Sequence, residues 1–309
     1  MCTLRCGVDR AAGERGPCRL AGTSRVYKTY VSLNEEPELV PALRVFLGGC
    51  NFRCPWCDEA PAAFRDAGQP IEAGTWAHEL AAALAGGVRT ISILGGEPSL
   101  HVHTLLAVAR AAPWPLSISL NSNMYMTPEV LELLAGVIGH YLADFKFGND
   151  TCARQLAGVP DYLATVTSNL RLAAAQAHVV VRHVLMPGHF ECCFRPVVDW
   201  LETHLPGARF QLYPGYVPCG PAARDSRLGR LNQRAEIAAA WACLEPRGLK
   251  LDSPAPAEVR IGVTPLARGH GELGLTIGAD GKLYCHDLTP ELAATLAGLC
   301  PRDGERKRE

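Results

Sequence analysis

Three cysteines fall within eight residues in the stretch Gly48-Gly49-Cys50-Asn51-Phe52-Arg53-Cys54-Pro55-Trp56-Cys57-Asp58. Thiolates spaced C-x3-C-x2-C in one loop cannot all pair with one another as disulfides. They can converge on one inorganic object, and cysteine thiolates are the usual ligands of iron–sulfur clusters. Three ligands leave one corner of a four-iron cube without a protein ligand, so that iron can bind something that reacts. The plainer readings of the loop are a chance grouping and an incomplete zinc site. A second set, Cys2, Cys6 and Cys18, lies among Gly7, Gly13, Gly16 and Pro17, a composition that cannot build its own core. Such a segment orders only by docking or by binding a metal, and these three thiols are one donor short of a four-ligand site. Its other reading is a flexible cysteine-rich arm. Cys152, Cys192, Cys193, Cys219 and Cys243 show no ligand spacing and read as buried or incidental.

The elements that must position the loop show a β–α rhythm. Apolar runs of strand length recur at 43–47, 90–94, 116–120, 141–145, 179–185 and 209–213, with stretches of helical length between them at 75–85, 104–112, 128–138, 162–175, 196–204 and 231–244. Near-continuous apolar strands alternating with helices predict an α/β fold with a parallel sheet buried on both faces. In such folds ligands gather at the carboxyl ends of the strands. The first run ends in the three-cysteine loop, and the second ends at Gly95-Gly96-Glu97-Pro98. Paired glycines there let backbone approach a ligand, and Glu97 supplies an acceptor for an ammonium group. The third run ends at Asn121-Ser122-Asn123, suited either to hydrogen bonds with a ribose or carboxylate or to capping the helix that starts at Thr127-Pro128. The fourth carries Asp144 and Lys146 on one face, as an interior pair needing each other or a ligand, or as a plain structural ion pair. The fifth carries Arg182 and His183, which must face opposite sides. After residue 250 the composition shifts: 252–257 reads as a linker, and two short runs flank an Asp-Gly turn at 278–281, a hairpin signal. A last helix begins near Thr289-Pro290-Glu291, and a charged tail at 302–309 reads as disordered.

The cysteine spacing, with Trp56 just before the last cysteine, resembles the signature of the radical S-adenosylmethionine (radical SAM) superfamily. Gly95-Gly96-Glu97-Pro98 looks like the motif that meets the methionine amino group of S-adenosylmethionine in that family. Cys6 through Cys18 and Glu35-Glu36-Pro37-Glu38-Leu39 resemble a branch similar to pyruvate formate-lyase activating enzymes. In that branch a further cysteine stands just upstream of the position of Cys2. The resemblance implies a partial (βα)6 TIM-like barrel over 41–250, with a cysteine-rich arm at 1–40 and a C-terminal extension with a hairpin at 251–309. It implies a [4Fe-4S] cluster on Cys50, Cys54 and Cys57, with Trp56, Gly95, Gly96, Glu97, Asn121, Asn123, Asp144, Lys146 and Arg182 around S-adenosylmethionine. Arg182 is expected at the cofactor carboxylate, with His183 a minor candidate. Where family members often place a histidine near the sixth run, this chain offers Tyr213 or Tyr216. Asp58-Glu59 stands where the branch commonly has glutamine and asparagine.

Implied partners are reduced flavodoxin or ferredoxin as electron donor, and a glycyl radical enzyme or a peptide as substrate. The implied activity is cleavage of S-adenosylmethionine to a 5′-deoxyadenosyl radical that abstracts hydrogen, leading to an activase of a glycyl radical enzyme. The alternatives are modification of a peptide or small metabolite, and a non-enzymatic iron–sulfur or zinc binding protein. The C-terminal hairpin carries Cys285, a candidate fourth ligand for the N-terminal trio, and Cys300 follows it. A net charge of −1 points to neither a nucleic-acid nor a membrane surface. The start, Met1-Cys2-Thr3-Leu4-Arg5, lacks a basic-then-apolar secretory pattern. Thirteen cysteines then argue for reduced thiols and metal binding in a cytoplasmic protein.

Overall fold

The computed structural model describes residues 2–33, 36–112, 117–251, 274–277 and 283–286. The expected linker, Asp-Gly turn, last helix and tail lie outside these residues, as does Cys300. In chain order the first unit, Met1–Ser253, runs β1 (Arg25–Ser32), β2 (Ala42–Leu47), β3 (Gln69–Pro70), α1 (Ala73–Ala85), β4 (Thr90–Gly95), α2 (Val102–Ala111), β5 (Ile118–Ser122) and α3 (Pro128–Leu134). It continues with β6 (His140–Asp144), α4 (Asp150–Cys152), α5 (Tyr162–Gln176), β7 (His178–Val184), α6 (Arg195–His204), β8 (Arg209–Tyr213), α7 (Arg234–Leu244) and β9 (Lys250–Leu251). The six expected strands are all present, in one sheet of order β3-β1-β2-β4-β5-β6-β7-β8-β9. Strands β2 through β9 of that order pair in parallel, while β1 pairs antiparallel with β2 and β3, so the sheet is an open, partial TIM-like barrel. The second unit, Pro254–Glu309, contains the hairpin of β10 (Gly274–Ile277) and β11 (Leu283–His286). Among the described residues no helix is long and apolar enough to cross a membrane.

The strand registers divide the sheet into two chemically different faces. Val45, Ile93, Leu120, Ala143, Val181 and Phe210 fall on the helix side, where they pack with Leu80, Leu105, Val166, Leu170, Val197 and Ile237 in one buried core. Each large apolar side chain buried there contributes roughly 1.5–3 kcal/mol. The opposite, inner face carries Arg44, Ser92, Ser119, Asn121, Asp144, Arg182 and Gln211 at successive register positions. On this face Leu39, Leu142 and Val180 form a separate small apolar cluster. The segment 36–39 thus crosses the inner face, with Leu39 on the sheet, Glu36 paired to Arg182 and Glu38 to Arg209.

The N-terminal segment docks onto the first unit. Leu20 is fully buried in a cluster with Cys18 and Leu100. Arg10 Nη1 donates to Leu100 O (2.9 Å), and Cys2 forms a β-bridge with Met126. Arg10 Nε also donates to Ala21 O (3.0 Å), so this one side chain ties the segment to itself and to Leu100.

Candidate functional site

The cysteine loop leaves the carboxyl end of β2 and is clamped to the end of β4 by backbone alone. Gly96 N donates to Leu47 O (2.8 Å), and Glu97 N donates to Gly49 O (2.8 Å). A Cβ at Gly96 would lie 1.9 Å from Gly49 O, so only glycine allows the two turns to meet this closely. Further along the loop, Arg53 N donates to Ala157 O and Ala222 N to Pro55 O, both at 3.0 Å. Trp56 packs edge-on against Phe147 (6.0 Å between ring centroids) and tilts over Tyr216 (6.4 Å). His101, just beyond Pro98, is wholly buried with Nδ1 2.7 Å from Ser24 Oγ and Nε2 2.9 Å from Gly48 O. Burial pushes its pKa down to about 3, so a neutral ring pins the carbonyl two residues before Cys50. Its role needs the fold to be seen; no spacing signal singles it out.

Burial pushes all three loop thiols up. Cys50 moves well above the usual thiol range, with the Glu97 carboxylate adding to the effect. Cys54 rises to about 11, against the pull of the Lys146 ammonium. Cys57 rises to about 12, from burial and then Asp58. Thiols held neutral by lost solvation become thiolate ligands once a cation supplies the missing stabilisation. Yet Cys50, Cys54 and Cys57 are not among the groups whose ligand atoms all lie within 4.8 Å, the spacing for one ion. A soft, buried, spread donor set fits the separated corners of an iron–sulfur cluster better than a single zinc ion.

Glu97 and Asn123 knit β4, β5 and the loop together. The Glu97 carboxylate is buried and accepts from Ser122 Oγ (2.7 Å), Asn123 N (2.8 Å) and Ser99 N (3.0 Å). Asn123 Nδ2 donates to Asn51 Oδ1 (2.9 Å), its own Oδ1 accepts from Tyr125 N (2.9 Å), and Asn51 Nδ2 donates to Tyr125 O (2.9 Å). The cap of α3 is Thr127, without a side-chain bond, so capping does not account for Asn123.

Asp144 and Lys146 project to one side, as alternation requires, and pair at 2.7 Å. Burial opposes the Lys146 charge, but the Asp144 carboxylate outweighs it and, with a Cys54 thiolate adding to the effect when that thiol ionises, holds the ammonium above the usual lysine range. Arg182 and Asp144 are register partners on the inner face. The Arg182 guanidinium donates to both Glu36 carboxylate oxygens (2.7 Å each from Nη2) and lies over Tyr213. Asn121, its amide oriented by its partners, accepts from Arg182 Nη1 (3.2 Å) and donates to Leu142 O (3.3 Å). His183 points to the helix side, its Nδ1 2.7 Å from Phe145 O, with its pKa lowered to about 4 by burial. Tyr213 donates to Gln211 Oε1 and Tyr216 to Leu228 O, so both hydroxyls already have acceptors within the protein. Glu59 accepts from Tyr27 (3.0 Å) and Lys28 (2.9 Å), so the acidic pair after Cys57 is partly tied to β1.

Cys2, Cys6 and Cys18 line one cavity of about 230 Å³ together with Arg10 and Leu100. They share a wall without reaching single-ion spacing. The side chain of Cys285 is outside those described. Among the cysteines without ligand spacing, Cys152 and Cys192, forty residues apart in the chain, bring their sulfurs to 3.8 Å.

The Radical SAM superfamily model matches residues 45–201, just over half of the chain, from the end of β2 before the cysteine loop into α6. An uncharacterized protein of Methanocaldococcus jannaschii is 33% identical over 226 residues, covering 70% of this chain and 66% of its own. The 7-carboxy-7-deazaguanine synthase of Aquifex aeolicus is 32% identical over 110 residues, 35% of this chain and 48% of that one. The chain spans less than two thirds of the length of either relative. The crystal structure of Streptococcus suis SuiB bound to precursor peptide SuiA aligns with a TM-score of 0.49 at 16% identity, covering 67% of this chain and 47% of that one. With the match running through the cysteine loop, the glycine turn that clamps it and the strand ends around them, this chain belongs to the radical SAM superfamily.

Proposed function

We propose that Cys50, Cys54 and Cys57 hold a [4Fe-4S] cluster and that S-adenosylmethionine binds beside it on the inner face of the sheet. The observation that carries this reading is the backbone clamp between Gly49 and Gly96–Glu97, which seats the glycine turn directly against the cysteine loop. When bound, the cluster would pass an electron from a reduced flavodoxin or ferredoxin into S-adenosylmethionine, giving methionine and a 5′-deoxyadenosyl radical. The chain's own part is to hold and orient. Gly95 and Gly96 offer close backbone approach, and Asn121, Asp144 and Lys146 offer polar groups at neighbouring strand ends. Glu97 and Asn123 stiffen the turn, and Trp56 backs the loop against Phe147. Arg182, held by Glu36, sets the floor of this face and keeps Nη1 toward Asn121.

The substrate reading that follows from the N-terminal motif is a glycine of a partner glycyl radical enzyme. A second reading is modification of a small metabolite, favoured by the similarity to 7-carboxy-7-deazaguanine synthase. Anaerobic reconstitution followed by an assay for 5′-deoxyadenosine tests the chemistry, and Cys54→Ala is expected to lose both iron and product. A C54A protein that kept both would refute the ligand assignment. A stable organic radical on an added protein, seen by electron paramagnetic resonance, supports the first substrate reading; turnover of a purine-like small molecule without such a radical supports the second.

A further inference from the structure

After β6 and β7, two loops carry ligating side chains toward each other. Cys152 closes α4 and caps a π-helical turn, Ala153–Ala157. His189 caps a second π-helical turn, Phe190–Phe194, which holds Cys192 and Cys193. Such turns are rare and concentrate at functional sites. The ligand atoms of Cys152, His189 and Cys192 all lie within 4.8 Å of one another, and no other set of three does so among the described residues. We propose that these three side chains bind a zinc ion.

Several independent features support this. A zinc–sulfur bond of about 2.3 Å in a tetrahedral site places two sulfurs roughly 3.8 Å apart. Cys152 Sγ and Cys192 Sγ stand at 3.8 Å, and Cys193 Sγ is 3.9 Å from Cys192 Sγ. His189 is buried, with Nδ1 2.9 Å from Pro187 O. A proton on Nδ1 donated to that carbonyl leaves the Nε2 lone pair for a metal, the usual outer support of a zinc-bound histidine. Asn149 holds the thiols from outside: its Nδ2 lies 2.6 Å from Cys192 O and 3.3 Å from Cys152 Sγ, while its Oδ1 accepts from Cys152 N. Gly148 lets the two loops close, since a Cβ there would meet Cys193 O at 2.5 Å. Two thiolates and an imidazole form a borderline-soft donor set that suits zinc and not magnesium or calcium. The ion would staple the loop after β6 to the loop after β7, just beyond Phe147, which packs on Trp56.

The test uses the full chain purified anaerobically, loaded with Zn(II), desalted over a chelating resin and measured by mass spectrometry for zinc and iron. Other cysteines will also take zinc, so the readout is the difference from wild type. Cys152→Ser with Cys192→Ser, and His189→Ala alone, are each expected to lower zinc by about one ion per chain while reconstituted iron is unchanged. Equal zinc in variants and wild type overturns the proposal. Should the variants fail to fold, wild type with and without Zn(II) is alkylated and mapped. Zinc is expected to protect Cys152 and Cys192; alkylation unaffected by zinc, or recovery of a Cys152–Cys192 disulfide, overturns the site.

Discussion

At the scale of single residues, the cysteine loop depends on an atom that is absent. Gly96 faces Gly49 O so closely that any Cβ must push two backbones apart, and no side chain can rotate out of the way. Gly96→Ala should therefore cost about 2–3 kcal/mol of stability and open the clamp that seats the loop. The measurement is iron retained after reconstitution together with the urea midpoint. A G96A protein with wild-type values of both would mean that the contact can relax. Residues of this kind were legible in the sequence because cysteine spacing and a Gly-Gly pair at a strand end are local patterns. His101 and Asn51 were not, because a polar side chain satisfied by a carbonyl some fifty to seventy residues away leaves no local trace. The nearness of Cys152 to Cys192 left no local trace for the same reason.

At the scale of elements, the strand–helix rhythm was readable because parallel strands buried on both faces must be apolar throughout. The antiparallel strand β1 was not, since it is only partly buried and mixes lysine, arginine and tyrosine with valine. The π-helical turns were also silent, as an i→i+5 bond imposes no hydrophobic period. The segment 36–39 stood out in the sequence as a motif, but not its place: it closes the inner face through Glu36 and Arg182. Both side chains are at least nine-tenths buried, so the pair is a desolvated one whose breakage is costly. Glu36→Met should destabilise the protein by about 3 kcal/mol or more, by leaving a buried guanidinium without its carboxylate. The double variant with Arg182→Met should recover much of that loss, because two apolar groups no longer need each other's charge. Urea denaturation of the two variants decides this, and a double variant no more stable than E36M would show that Arg182 is needed in its own right.

At the scale of the whole molecule, the two faces of the sheet respond differently to acid. The inner face carries charges already paired, whereas the helix side and the cap of the cysteine loop bury neutral imidazoles. His101 and His183 keep their rings unprotonated down to about pH 3 and about pH 4 respectively, because burial disfavours the cation. In the unfolded chain the same rings take up a proton near pH 6.5. Below that value the unfolded state binds more protons than the folded one, so stability must fall as the pH falls. The contribution is complete above about 6.5 and is lost progressively toward the folded values, at a limiting slope of about 1.4 kcal/mol per pH unit for each ring. Glu236, whose carboxyl is held down to about 2 by Arg230, adds its own loss only below the ordinary carboxylate range. Between pH 6 and 4.5 the histidine loss runs against the buried Glu97 and Asp58 carboxyls, which burial pushes up and which act with the opposite sign, so the difference between wild type and a His101 variant isolates the ring. In His101→Gln the slope of stability against pH in that window should drop by nearly one histidine's worth, since glutamine can still donate to Gly48 O but cannot take a proton. Urea unfolding of metal-free wild type and H101Q at half-unit steps measures both slopes. Parallel curves would mean that the ring is hydrated and titrates normally, and that the clamp on Gly48 is looser than its two short hydrogen bonds require.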